Sequence, residues 1–518
     1  MTLPARAAFR RLHRWTGIAL LVYFALMAVS GVLLNHPSWI AGLDLPRRWV
    51  PGPYELRDWN RNALRGAVPG PDGEQYLFGE AGVWRWRPGS GAPAALRAGF
   101  EPSLYYRDTR ALLRLESPSP ALVAGTRRGL YRLPLDGSDR WQRVPLGAAD
   151  DSGEVVDLLR VGRDVVVLTR DRVYRSTGSG PLDFRDVTPA RADAAGLRVP
   201  LFRLVFHAHS GATWGLPGRL AVDALGLTLL FLAITGAWFW WRKRRRTLAS
   251  GRGGRLARAG LSWHLRLGLY LSVPLLFVTL TGILQRPPFL LAVAFASYPR
   301  ELHPGPADPN PWHDALRKAV HDPGRGVVLV ATSDGFYEGP EDLASPLEPV
   351  SGGPPLSVMG ATVLRRRGAG EYWVGSMSGL YLWDRGKGHV LDAFTGRPPL
   401  PSAGGPVGEQ RVVGSVVLPG GDLLAADYDA GLLDLRGGPA GERIPMPEEL
   451  SRSGRISLWH VLFELHNGRL FGFLLGWWAW LVVPLGGLAL AAEVVSGVWL
   501  RAPSLLRRKE RCRGSEPL

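Results

Sequence analysis

Four stretches of at least 18 residues, 15–34, 224–241, 267–284 and 470–492, carry no charged side chain. A bilayer core is crossed by about 20 apolar residues of helix. Inside lipid the backbone has to satisfy its own polar groups, which a helix does. The 518-residue chain is therefore expected to hold four transmembrane helices, with two long polar segments, 37–200 and 287–455, between them.

The charge pattern orients these helices. Residues 1–14 hold four arginines and no acid, and residues 242–260, RKRRRTLASGRGGRLARAG, hold eight Lys or Arg and no acid. Residues 501–518 hold six bases and two acids, so these three flanks carry +16 of the formal net charge of +17. Cytoplasmic flanks are the ones enriched in Lys and Arg. Both termini and the middle loop are expected in the cytoplasm of a bacterium, and both long segments in the periplasm. A basic chain invites a nucleic-acid partner, but here topology accounts for the excess and none is expected. The triplet AVS at 28–30 is a weak signal-peptidase site. The first helix has a copy in mid-chain, where cleavage has no meaning, so it is read as retained. The single cysteine, Cys512, lies in the tail. The outer segments thus carry no disulfide, and the absence of C-x-x-C-H excludes covalent c-type haem.

The chain reads as a tandem duplication. Laying His13 on His264 brings Gly17 onto Gly268 and Ser30-Gly31 onto Thr281-Gly282, all at an offset of 251. Laying HSGATWG (209–215) on HNGRLFG (466–472) matches His209, Gly211 and Gly215 with His466, Gly468 and Gly472. The helices that follow end alike, in TGAWFW (235–240) and SGVWL (496–500). Two halves of equal orientation are related by an axis along the membrane normal.

The outer segments repeat internally. A β-rich run, a turn and an aromatic recur in YLFGEAGVWRW (76–86), LVAGTRRGLYRL (122–133), VVLTRDRVYRS (166–176), VLVATSDGFYEG (328–339), YWVGSMSGLYLW (372–383) and LLAADYDAGLLDL (423–435). The turn positions are Gly82, Gly129, Arg172, Gly335, Gly379 and Gly431. The wording is that of a hairpin between a unit's first two strands. The spacing of the copies within each segment suits propeller blades of four short strands. Three units are too few for an ordinary closed propeller, so the expectation is one six-bladed ring from both segments, or two packed three-unit halves.

The expected fold is thus a membrane α-helical part, four helices in two duplicated halves, plus extracytoplasmic all-β, propeller-like segments. Its parts are a cytoplasmic flank and first helix (1–36), a β-rich segment (37–200), an edge helix and second helix (201–241), and the basic loop (242–260). The third helix (261–286), a second β-rich segment (287–455), an edge helix and fourth helix (456–500), and the tail (501–518) follow.

Repeated histidines at membrane edges are the chemical signal. Ionisable groups there are costly and usually functional, and imidazole is a common axial ligand of haem iron. The topology puts His13 and His264 at one edge and His209 and His466 at the other. Each pair is expected to hold one haem, with Gly17 and Gly268 letting the flat ring approach. From His13 to His36 is 23 residues, about 35 Å of helix, so two haems would form a relay. His209 precedes the apolar run of its helix by about 15 residues, so a break at LPGR (216–219) is expected, and a kink at Pro484 in the overlong last helix. His36 is the reserve ligand, with His207 and His460 behind it. Arg14 and Arg266 are candidates for haem propionates or simply positive flanks; Arg203, Arg219 and Arg469 carry the same ambiguity. Glu493, deep in the last helix, is a candidate proton relay or arginine partner. His303, His313, His321 and His389 read as surface residues. No nucleotide-binding or hydrolase motif occurs, and no catalytic residue is identified. No cytoplasmic segment exceeds about 20 residues, so an electron donor has to be a separate molecule.

RRLHRWTGIALLVYFALMAVSGVLLNH (10–36) resembles the first helix of the PepSY-associated transmembrane family. HSGATWGLPGRLAVDALGLTLLFLAITGAWFWW (209–241) resembles its second and LHNGRLFGFLLGWW (465–478) its last. The resemblance implies an inner-membrane, b-type haem protein similar to ferrisiderophore reductases, passing electrons to periplasmic iron complexes. It places His13, His264, His209 and His466 at the matching positions. The outer segments depart from the family's small α/β module, which leaves the substrate open. The expected function is transmembrane electron transfer to a ferric complex such as a ferrisiderophore. It would use haem b, two if both edges bind and one otherwise, with membrane lipid as surroundings. The rivals are a membrane-anchored binding or sensing propeller with structural histidines, and an accessory subunit of iron or haem uptake.

Overall fold

The computed structural model describes residues 3–116, 119–147, 153–176, 182–194, 196–244, 251–304, 310–357, 359–399, 408–451 and 454–513. The helices, in chain order, begin with Leu3–Ala19 (α1) and Leu21–Asn35 (α2). Next come Leu201–Ser210 (α3), Gly215–Arg244 (α4), Gly251–Tyr270 (α5) and Ser272–Leu284 (α6). Leu458–His466 (α7) and Val482–Arg513 (α8) are the last of the longer helices. Two stretches, 212–242 and 469–501, are each long and apolar enough to cross a bilayer. The pairs α1–α2 and α5–α6 pass the same test as broken spans, bent by 61° and 63°. This is a membrane protein with two candidate spans, or four with each bent pair as one.

Neither bent pair is the straight helix its composition suggests. The breaks fall at Leu20 and Leu271, again 251 residues apart and with nearly equal backbone angles. Pro274 sits in the first turn of α6, where a missing N–H breaks no intrahelical bond. Nothing comparable explains the bend at Leu20. Both bent pairs pack on α4 and α8. Gly486 and Gly487 of α8 allow this: a Cβ on the first would run into the Tyr23 ring, and on the second would lie 2.6 Å from Ile283 Cγ1. Small residues are how helices approach closely in lipid.

The overlong apolar stretches are interrupted before they become α4 and α8. Helix α3 ends at Gly211, in the left-handed region at φ +78°, and Gly215 is again left-handed. The break therefore precedes LPGR instead of lying in it. Helix α7 ends near Gly468 at φ +83°, and short turns of helix run to Leu481. The interruption thus precedes Pro484, which sits in the first turn of α8 and kinks nothing. The repeat also needs one realignment. Gly476, and not Gly472, shares the positive φ of Gly215. The four-residue helix Gly472–Leu475 is an insertion of one turn in the second half.

Both long segments are β-rich. Their strands form four-stranded meanders over 109–144, 155–186, 316–350 and 361–392, and one seven-stranded sheet shared between the two chain regions. In that sheet the strands of 412–433 join those of 66–96 through one parallel pairing, Gly66 with Ser415. No sheet among the described residues closes into a barrel. The six repeated phrases are hairpins in these sheets. They join second and third strands, not first and second as the wording suggests. The first strands, Gly66–Pro69, Thr109–Leu115, Val155–Val161, Leu316–Asp322, Ala361–Gly368 and Val412–Val417, touch one another in that order, and the last touches the first.

Two short straps tie the halves crosswise. Asp44–Pro46 pairs with Arg455–Ser457, and Ser297–Pro299 with Arg198–Pro200. Thus the chain leaving α2 binds the chain entering α7, and the chain leaving α6 binds the chain entering α3. Beyond each strap lies a fully buried tryptophan, Trp59 or Trp312, at an offset of 253. Each indole N–H donates to a carbonyl of the other region, Ile444 or Pro189, at 2.7 Å. A buried indole needs such a partner, so these two contacts fix how the two β-rich segments meet.

Candidate functional site

Four histidines are held in one recurrent way. His466 Nδ1 lies 2.9 Å from Ser30 Oγ, and His264 Nδ1 lies 2.9 Å from Thr235 Oγ1. His209 Nδ1 is 3.0 Å from the Val278 carbonyl and 3.3 Å from Thr281 Oγ1. His13 Nδ1 is 3.1 Å from Ser496 Oγ, 3.1 Å from the Glu493 carbonyl and 2.8 Å from Glu493 Oε2. In every case the hydroxyl is followed by glycine. A Cβ on Gly31, Gly282, Gly497 or Gly236 would lie 3.2, 2.9, 3.3 or 3.5 Å from the Cε1 of its histidine. The hydroxyl anchors the imidazole and the glycine makes room for its edge.

The tautomers follow from this chemistry. A carbonyl only accepts, so His13 and His209 carry their proton on Nδ1. Each of the four hydroxyls donates to a carbonyl of its own helix: Ser30 to Leu26 at 2.6 Å, Thr235 to Phe231 at 2.6 Å, Thr281 to Phe277 at 3.0 Å and Ser496 to Glu493 at 2.9 Å. Its oxygen is then left to accept from Nδ1–H. All four rings therefore turn a proton-free Nε2 away from the anchor. Among the described residues no Nε2 of the four has a hydrogen-bond or ion-pair partner. Fixing one ring nitrogen by a hydrogen bond is how proteins prepare the other as a metal ligand.

The anchors sort the histidines into two levels. His209 and His466 lie beneath the β-rich domain with ring centroids 6.0 Å apart. His13 and His264 form the other pair, within electrostatic reach of each other. Next to His466, Gly468 packs against Val483 of α8, whereas His13 is anchored by Ser496 of the same helix. Those α8 positions are about 20 Å apart at 1.5 Å per residue, well short of the span first drawn from His13 to His36. The strap exchange explains the assortment. His13 of α1 is anchored on α8 and His466 of α7 on α2; His209 of α3 is anchored on α6 and His264 of α5 on α4.

The donor set suits a haem. An imidazole nitrogen holds a metal at about 2 Å, so two rings sharing one iron would have centroids roughly 6 Å apart, as His209 and His466 do. Residues that would hold it are His209 and His466 at one level and His13 and His264 at the other. Glu493 is 9 % exposed, and its Oε1 is buried without a partner. Its Oε2 faces His13, so it is a carboxylate behind a ring, not an arginine partner.

The remaining candidates are engaged elsewhere. His36 Nε2 is 2.7 Å from Asp223 Oδ2, and its ring stacks on Trp39 at 4.2 Å. His207 meets His313 edge to face, and His460 faces Glu80 and Glu464. Arg14 lies over the Trp15 ring and Arg266 over the Trp263 ring. Arg203 donates to the His313 carbonyl, and Arg469 pairs with Glu464 at 2.7 Å. The side chain of Cys512 lies outside the described residues.

Compared with known families, the sequence matches the PepSY-associated TM region over residues 10–502. The chain belongs to this family. No curated protein matches it. Among solved structures it is similar to the extracellular domain of a putative one-component system from B. thetaiotaomicron, at 9% identity and TM-score 0.34, over 73% of this chain and 39% of that one. It is also similar to the extracellular domain of a putative hybrid two-component system from the same organism, at 10% identity and TM-score 0.31, over 74% of this chain and 34% of that one. It thus spans about two fifths or less of those chains.

In this PepSY-associated TM chain the sequence showed the histidines and the S/T-G pairs as separate repeats. That each pair anchors a histidine was missed. The signal was there: four histidines and four S/T-G pairs at the ends of four apolar runs.

Proposed function

We propose that this membrane protein binds b-type haem and carries electrons across a bacterial inner membrane to a ferric complex such as a ferrisiderophore. The observation that carries this reading is the set of four imidazoles, each anchored through Nδ1 and presenting a bare Nε2, in two pairs at two depths. Haem iron bound there supplies reversible one-electron chemistry. The residues do the rest. The hydroxyls and carbonyls fix ring orientation, the glycines admit the rings, and the apolar helices exclude water. Lys/Arg-rich flanks support cytoplasmic termini and a cytoplasmic loop between α4 and α5, with the β-rich domain in the periplasm. The cyclic contact of the six first strands supports reading that domain as a six-bladed propeller above the exit-side pair. The electron donor is then a separate molecule on the cytoplasmic side or in the membrane.

The test is a reduced-minus-oxidised absorption spectrum of the purified chain with a haem-to-chain ratio. A b-type signal near two haems per chain is expected. His13→Ala and His264→Ala should lose the same haem, and His209→Ala and His466→Ala the other. A haem-free chain, expressed with ample iron and haem precursor, would end this reading.

A further inference from the structure

A cavity of about 180 Å³ lies between the Glu80-Ala81 turn of the seven-stranded sheet and the strap residue Arg455, just before α7. Four cations, Arg47, Arg97, Arg107 and Arg455, line it against two anions, Glu80 and Glu449, over a floor of leucine and alanine. Arg97 pairs with Glu449 at 3.0 Å and Arg47 with Glu80 at 3.6 Å, while Arg455 donates to the Asp44 carbonyl. Arg107 is left over. Among the described residues its side chain has no ion pair or hydrogen bond, and its Nε is buried. Burial and the neighbouring Arg97 charge press its pKa down, and the carboxylates of Asp44 and Glu449 offset this only in part. Arg107 is half-buried, and its buried unpartnered Nε leaves room for an added acceptor; guanidinium forks suit carboxylates.

The cavity also stands close to the exit-side histidines. Glu80 lies 3.5 Å from His460 Nδ1, and His460 is six residues, about 9 Å of helix, from His466. We infer that this pocket receives a carboxylate-bearing anion, with Arg107 taking its charge. On the electron-transfer reading, on which this half of the inference rests, the anion is the carboxylate shell of a ferric chelate.

A rival cavity of about 250 Å³ lies among the first strands, where half-buried Arg365 also has no ion pair or hydrogen bond among the described residues. It is more open and lies away from α7, so it serves as the internal control. The test uses the full chain in detergent and gallium(III) citrate, which is redox-inert, as the probe, read by thermophoresis. Arg107→Gln is expected to weaken binding at least tenfold, Arg107→Lys less, and Arg365→Gln less than twofold. Inorganic phosphate should compete more weakly than free citrate. Unchanged binding by Arg107→Gln, an equal loss in Arg365→Gln, or stronger competition by phosphate would each overturn the assignment. Gallium binding needs neither haem nor electrons. Failure to bind in a two-haem preparation rejects the pocket alone. Binding by a haem-free chain rejects the electron-transfer reading alone.

Discussion

The anchors behind the four imidazoles are unequal, and this has consequences residue by residue. His264 is held by the Thr235 hydroxyl, whereas His466 has the Met27 backbone as well as the Ser30 hydroxyl. His209 keeps the Val278 carbonyl if Thr281 is removed, and His13 keeps Glu493 if Ser496 is removed. Loss of an outer-shell partner typically costs about 10–100-fold in metal affinity. Thr235→Val should therefore drop one haem during purification, whereas Ser30→Ala, Thr281→Val and Ser496→Ala should retain both. Haem-to-chain ratios of the four variants decide it; equal losses would mean that the backbone groups and Glu493 do not hold the rings once the hydroxyl is gone. Glu493 adds a second inequality. A carboxylate accepting from Nδ1–H makes the imidazole a stronger donor and favours ferric iron. Glu493→Gln should raise the midpoint potential of one haem and leave the other in place in a redox titration. At this scale the sequence was half legible. Charge pattern and duplication exposed the histidines, because both are written along the chain. Their anchors were hidden because each comes from a helix 29 to 483 residues away, a separation that helical periodicity does not encode.

Among the elements, the left-handed glycines decide whether a histidine reaches its site. Helix α3 ends at left-handed Gly211, and His209, two residues before it, lies against Val278 and Thr281 of α6. A side chain at Gly211 meets both a positive φ and the Gly218 carbonyl. Holding a non-glycine residue in such a region costs about 1–3 kcal/mol, and the collision adds to it. Gly211→Ala should displace His209 and lose the haem it shares with His466, while the haem of His13 and His264 stays. Optical spectra and thermal melts would show a one-haem protein of lowered Tm; a two-haem protein of unchanged Tm would contradict the role given to the turn. Gly211 was legible as a repeated residue but not as a turn, since an apolar run continuing past a glycine reads equally well as one helix. The same ambiguity hid the bends at Leu20 and Leu271, where composition does not change. The strands fared better. Turn glycines such as Gly82 and Gly379 have positive φ, so the hairpins announced themselves, although not which strands of each sheet they join.

At the scale of the whole molecule, the β-rich domain and the helices are joined by buried charge, which makes the joint sensitive to acid. Glu80, in a turn of the seven-stranded sheet, faces His460 of α7 and Arg47 beyond the strap. Burial opposes its ionisation, but the hydrogen bond from His460 and the charge of Arg47 outweigh it and bring the carboxyl down to about 2. A carboxyl depressed on folding stabilises the native state above its unfolded pKa, near 4.5. That contribution disappears as the pH falls through the folded value. It amounts to about 3 kcal/mol at neutral pH. Glu80→Gln should therefore lower the melting temperature most at pH 6–7, and the gap from wild type should narrow steadily below about pH 4.5. Because α7 also carries His466, the exit-side haem should loosen along the same acid limb, whereas the haem of His13 and His264, anchored away from this joint, should not. A gap independent of pH, or simultaneous loss of both haems, would show that the joint between domain and membrane is held by something other than this carboxylate.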